Sequence, residues 1–132
     1  MKTLLLIMIL AASTFSANFA EEQIIQVAGY TFGSVGKWVT YDNSSIDVNF
    51  GDVLHYVRID SNKRIIEVDL CRGETNTYNV SDIKEKLVKI YGESEFTQLY
   101  QYKKVIGNIQ VALINTRSGS VDMWRIMYIK LD

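Results

Sequence analysis

The segment Val53-Leu-His-Tyr-Val-Arg-Ile-Asp-Ser-Asn-Lys-Arg-Ile-Ile-Glu-Val-Asp-Leu70 reads as two strands joined by a polar turn. Val53, His55, Val57 and Ile59 alternate with Leu54, Tyr56 and Arg58; beyond the turn, Ile66, Val68 and Leu70 alternate with Glu67, Asp69 and Cys71. A period of two is the mark of a strand with one buried face. With Ser61 and Asn62 as the turn, Asp60 pairs with Lys63, Val57 with Ile66, His55 with Val68 and Val53 with Leu70, and the last three pairs share an apolar face. The other face then pairs Arg58 with Ile65, Tyr56 with Glu67, Leu54 with Asp69 and Asp52 with Cys71. A slip of one residue would turn the apolar set to water, so the faces are strongly specified.

Upstream, Ile24 to Val27 reads as a short strand, and Gly29 to Lys37, with three glycines, as a bend. Lys37–Tyr41 and Ile46–Phe50 read as short strands around an Asp-Asn-Ser-Ser turn. Downstream, residues 72–80 form a polar loop. Ser81 is an expected N-cap, and Ile83, Leu87 and Ile90 or Tyr91 share one face of a helix near residues 82–91 that Gly92 stops. Phe96–Tyr102, Gly107–Asn115 and Val121–Leu131 read as strands, with Thr116–Gly119 closing the last hairpin and Val111 opposite Trp124. The expected fold class is α+β: an antiparallel sheet of about six to seven strands with one main helix on a face. Absence of proline suits such a sheet.

The first twenty residues stand apart. Lys2, the apolar run Leu4–Ala12 and the small residues Ser13, Ser16, Ala17 and Ala20 have the layout of a secretory signal peptide, too short to span a bilayer. Cleavage after Ala20 would leave a single exported domain over residues 21–132. No cysteine lies near that point for lipid attachment, and no later run is long enough for a stable membrane span. The expected location is secreted or periplasmic.

Composition narrows the chemistry. The 132 residues carry 14 Lys and Arg against 15 Asp and Glu, so no basic footprint for nucleic acid exists. One cysteine and one histidine exclude a Cys/His zinc site and a disulfide scaffold, and no metal or cofactor is expected. The Gly29–Lys37 stretch fails as a phosphate loop: Thr31 stands where the first glycine belongs and Trp38 where Ser or Thr is needed. Asp60-Ser-Asn-Lys-Arg64 fails as a calcium loop at Arg64, and no Gly-x-Ser-x-Gly elbow occurs. A Cys–His dyad needs the imidazole within reach of the sulfur, but the hairpin puts His55 and Cys71 on opposite faces. His55 then reads as a half-buried core residue with satisfied ring nitrogens. Glu67 and Asp69 share a face at a spacing compatible with paired acid chemistry, with Arg58 diagonal to Glu67 as a plain ion-pair explanation on a solvated face. No catalytic residue is assigned.

What remains is aromatic. Tyrosine and tryptophan supply contact area at low entropic cost. Tyr100 and Tyr102, with the Tyr30/Phe32/Trp38 loop, form the expected recognition surface. Cys71, an unpaired cysteine in an exported chain, is a candidate free thiol and a route to a dimer or mixed disulfide.

The run Ile83-Lys-Glu-Lys-Leu-Val-Lys-Ile-Tyr-Gly-Glu93, followed by a Tyr-rich strand, an apolar strand and the Trp124…Tyr128 strand, resembles small exported bacterial proteins of the SmpA/OmlA and beta-lactamase-inhibitor-like type. The resemblance covers roughly residues 53–131 and rests on element order. This chain lacks their lipid-acceptor cysteine and an N-terminal helical pair. It implies an α+β sheet and non-enzymatic binding, and carries over no functional residue. The expected function is therefore an exported binding protein of inhibitor or immunity type, acting on a protein or an envelope component. The alternatives are a small secreted hydrolase using Ser or carboxylates and a structural cell-envelope component.

Overall fold

The hairpin at the centre of the sequence is also the centre of the fold. In the computed structural model, which describes residues 23–116 and 122–132, Gly51–Ile59 (β4) pairs antiparallel with Ile65–Arg72 (β5). The expected faces hold for Val53, Val57, Val68 and Leu70 but are exchanged for Ile65, which is buried, and Ile66, and the register differs: Val57 faces Val68, His55 faces Leu70 and Val53 faces Arg72. Two separate one-residue slips produce this. Lys63 adopts a left-handed conformation (φ 61°), making the turn a three-residue loop in which Asp60 faces Arg64 and Ile59 pairs with Ile65. A bulge at Ile66 then restores Arg58 to Glu67. The first slip alone sends Ile65 into the core; the second returns Val68 and Leu70 to it.

Six strands form one antiparallel sheet. In spatial order they are Val39–Asp47 (β3), β4, β5, Trp124–Lys130 (β8), Ile109–Asn115 (β7) and Tyr102–Ile106 (β6). A small hairpin, Gln26–Val27 (β1) with Tyr30–Thr31 (β2), precedes them. One helix, Val80–Tyr91 (α1), completes an α+β fold. It packs on the β6–β7 side through the buried Ile83 and Leu87, while Val27, Ile24, Tyr30 and Phe32 of the opening segment join the same core. Between them they cover one face of the sheet, where Val53, Val57, Val68, Leu70, Val111, Leu113, Trp124, Ile126 and Tyr128 are buried.

Other expectations need correction. Asp42 to Ser45 is no turn: β3 runs straight through it as a bulge between Thr40 and Ser44, and the reversal comes at Val48–Phe50, where the Asp47 carboxylate accepts from the Asn49 and Phe50 amides. The N-cap is Asn79, two residues before Ser81, because Asn79 and Asp82 satisfy each other's backbone amides in a capping box. Of the expected strand Phe96–Tyr102 only Tyr102 is one, as the first residue of β6; before it the Thr97 hydroxyl accepts from the Leu99 and Tyr100 amides and curls the chain. The last hairpin pairs Val111 with Tyr128 and Asn115 with Trp124, four residues from the expected register but on the expected faces. Most of the expected Thr116–Gly119 closure, like the expected leader over residues 1–20, lies outside the described residues. The glycine-rich bend docks on the start of β5, with Gly33 N–H donating to Ile65 and Ile65 N–H to Ser34. A Cβ at Gly36 would lie 2.7 Å from the Ile65 side chain, so the approach demands glycine.

Candidate binding surface

The second face of the six-stranded sheet is covered by no element among the described residues. Three cross-strand rows make it: Leu54, Cys71, Arg125 and Ile114; Tyr56, Asp69, Met127, Ala112 and Lys103; Arg58, Glu67, Ile129, Gln110 and Val105. Its composition is unlike that of a solvated sheet face. Leu54, Ile114, Met127 and Ile129 are half-buried there, and four residues, Glu67, Asp69, Cys71 and Ala112, have almost no exposed surface.

Asp69 is wholly buried under Arg125, whose Nε donates to its Oδ2 at 2.6 Å, with Nη2 against the same oxygen. The other oxygen, Oδ1, is buried without a hydrogen-bond partner. Burial, with Glu67 two residues away on the same face, pushes the Asp69 carboxyl up to about 8 against the pull of Arg125. On Arg125 burial opposes the charge, but Asp69 outweighs it and holds the guanidinium above its usual value. Glu67 accepts from Arg58 Nε at 3.0 Å, directly across the strand pair. The register shift creates that contact, and the solvated-face reading of these carboxylates is corrected: both are buried.

Over the arginine lie rings. The Arg125 guanidinium sits 4.9 Å from the centre of Tyr56 and 5.5 Å from that of Tyr41. Tyr41 and Trp38 pack on Tyr56 at 5.3 and 5.9 Å. Tyr41 occupies a left-handed conformation (φ 61°) within the β3 bulge. Such a backbone costs a non-glycine residue about 1–2 kcal/mol, and bulges are a common way of re-aiming a side chain. The result is a ladder from the exposed Trp38 (51%) and Tyr41 (40%) down to a buried carboxylate.

The five expected recognition residues do not meet. Trp38 alone lies in this ladder. Tyr30 and Phe32 are half-buried on the opposite, helix-covered side, Tyr30 edge-on to His55 at 5.7 Å. Tyr30 does line, with Val35, Lys37, Val39 and Ile65, an open groove of about 440 Å³. Tyr100 is half-buried in the curled connection before β6, at the far edge of the sheet from Trp38. Tyr102 is fully buried, its hydroxyl donating to Gly92 and pushed up to about 12 by burial; it is a core residue and offers no recognition surface.

His55 and Cys71 do occupy opposite faces, and His55 Nε2 lies 2.8 Å from Ser45 Oγ, with burial lowering its imidazole below the usual range. Cys71 is buried, and burial pushes its thiol up to about 12. Burial of the Cys71 thiol, and its resistance to ionising, oppose the disulfide dimer expected through it.

Tyr41, Tyr56 and Arg125 are the residues that sequence reasoning passed over. Alternation puts Tyr56 opposite the core face of β4, and Arg125 stands between the apolar Trp124 and Ile126; both signals were in the sequence. Among the described residues, no group of His, Cys, Asp and Glu could hold a metal ion, and no helix is long and apolar enough to cross a membrane. No family model, curated protein or solved structure matches the chain.

Proposed function

We propose that this chain is an exported binding protein, secreted or periplasmic, that recognises a protein partner through the uncovered face of its sheet. Inhibitor or immunity-type action is the specific form. The observation that carries the reading is the Trp38–Tyr41–Tyr56–Arg125 ladder on a face bearing half-buried Leu54, Ile114, Met127 and Ile129. Aromatic residues, Met and Arg are the side chains enriched where partners bury surface, and Trp, Tyr and Arg carry most of the binding energy there. Arg125 is also fixed by Asp69, so little freedom would be lost on docking. The leader-like N-terminus and the resemblance to small exported inhibitor-like proteins support the same reading.

The buried Glu67–Asp69 pair is the one feature favouring a hydrolase. Asp69 lies beneath Arg125 with no exposed surface, however, so a substrate could reach it only after the arginine left. The test is an affinity capture by the processed chain from envelope extract of its source, with the retained protein identified by mass and its affinity measured. Trp38→Ala and Tyr41→Ala together should weaken that affinity at least tenfold while Tyr100→Ala leaves it unchanged. A partner indifferent to both changes refutes the surface. Hydrolytic activity lost on Glu67→Gln would replace the reading with the enzymatic one.

A further inference from the structure

The two edges of the six-stranded sheet are finished differently. At the β6 edge the chain covers itself: Glu95 N–H donates to the Lys103 carbonyl, Lys103 N–H to the Ser94 hydroxyl, and Val105 N–H to the Glu95 carboxylate. Three outward backbone groups of that edge, the Lys103 amide and carbonyl and the Val105 amide, are thus occupied from within. At the β3 edge no described residue pairs with the backbone side turned away from β4. β3 is a nine-residue strand with no proline, and the apolar side chains along and beside it are unusually bare: Ile46 is 79% exposed, Val48 95% and Trp38 51%. A long edge carrying exposed apolar side chains is a template for another strand.

We propose that the β3 edge pairs with the β3 edge of a second copy of this chain, antiparallel about a two-fold axis, joining two six-stranded sheets into one. The strand's own sequence argues for a copy of itself. An axis through the middle of the bulge brings the segment before it, residues 37–40, against the segment after it, residues 44–47, twice over. That register sets Lys37 opposite Asp47, Trp38 opposite Ile46 and Thr40 opposite Ser44. Lys37 meets Asp47 and the exposed ring meets the exposed aliphatic on both sides of the axis, while at the axis itself Asp42 of one copy stands opposite Asp42 of the other. Face parity agrees, because Thr40 and Ser44 both pair with the uncovered side of β4, at Tyr56 and Leu54, and Trp38 packs on Tyr56. Such an isologous contact closes at two copies and leaves only the self-covered β6 edges at the ends of the joined sheet, so growth into a fibre stops there. It also sets the two aromatic ladders side by side at the seam. This inference stands on the edges alone and does not need the proposed partner.

Sedimentation velocity on the processed chain over a wide concentration range tests it. The expected result is a species of twice the monomer mass. Ile46→Lys, an exposed change that leaves the circular dichroism spectrum unaltered, should weaken dimerisation at least tenfold, and Lys37→Glu should weaken it in the same direction. Phe96→Lys, equally exposed but at the other edge, should leave the dimer intact. A monomer at every concentration overturns the proposal. So does a dimer that survives Ile46→Lys, or one that Phe96→Lys dissociates.

Discussion

Replacing Asp69 by asparagine should remove a specific pH dependence of stability. The ordinary value of the carboxyl is 3.8, and burial beside Glu67 raises it to about 8 in the folded chain. Between those values the unfolded chain has lost the proton and the native chain keeps it. The native state therefore binds more protons, and stability falls as pH rises from about 4 towards 8. Each unit is worth about 1.4 kcal/mol, so the upper bound on the effect across the whole range is about 6 kcal/mol. Three other groups must be set aside. Asp52 and Asp60 lie below their usual value, so their stabilising effect is already complete at pH 5. His55 lies below its own, so it works the opposite way and adds stability as pH rises through the usual histidine range. The difference between wild type and Asp69→Asn cancels all three. Urea unfolding followed by the fluorescence of the buried Trp124 at pH 5 and pH 8 measures it. The wild type should lose up to about 4 kcal/mol more than the variant over that three-unit interval. A wild type that is as stable relative to the variant at pH 8 as at pH 5 refutes the reasoning, and would mean that the Arg125 pair keeps Asp69 ionised throughout.

Three further outcomes are expected. Asn76 is buried and holds three backbone groups, donating to the Phe50 and Asp52 carbonyls at 2.7 and 2.6 Å and accepting from Tyr78 N–H; Asn76→Ala should cost roughly 3 kcal/mol, a fall of about 10 °C in Tm by calorimetry. Lys63→Gly should stabilise by about 1 kcal/mol in the same assay, since the left-handed turn position suits glycine. Cys71 should react with an aromatic disulfide reagent only at the rate at which the chain opens, and rapid labelling of the native protein would contradict its burial.

The faces of the strands were legible because burial on one side enforces a period of two along Val53–Ile59 and Val68–Leu70. Their register was not. It depends on Lys63 entering a left-handed conformation and on a bulge at Ile66, and neither residue type announces such behaviour. The helix was legible from Ile83 and Leu87, but its start depended on Asn79 and Asp82 exchanging hydrogen bonds ahead of Ser81. Ring alternation in Phe96–Tyr102 mimicked a strand, whereas the Thr97 hydroxyl competes for the backbone amides there. The binding surface was half legible. Trp38 stood out as an aromatic, but Arg125 and Asp69 come together only because β5 and β8 are spatial neighbours 56 residues apart in the chain.

The paired slips in the central hairpin carry an evolutionary consequence. The turn at Asp60–Arg64 and the bulge at Ile66 each shift the count by one, and only their combination keeps Glu67 and Asp69 outside and Val68 and Leu70 inside. Losing one residue from that segment would bury the carboxylates in the apolar core and turn two core aliphatics to water. Relatives of this chain should therefore vary in length here by two residues or not at all, trading a bulged hairpin for one with a two-residue turn and no bulge.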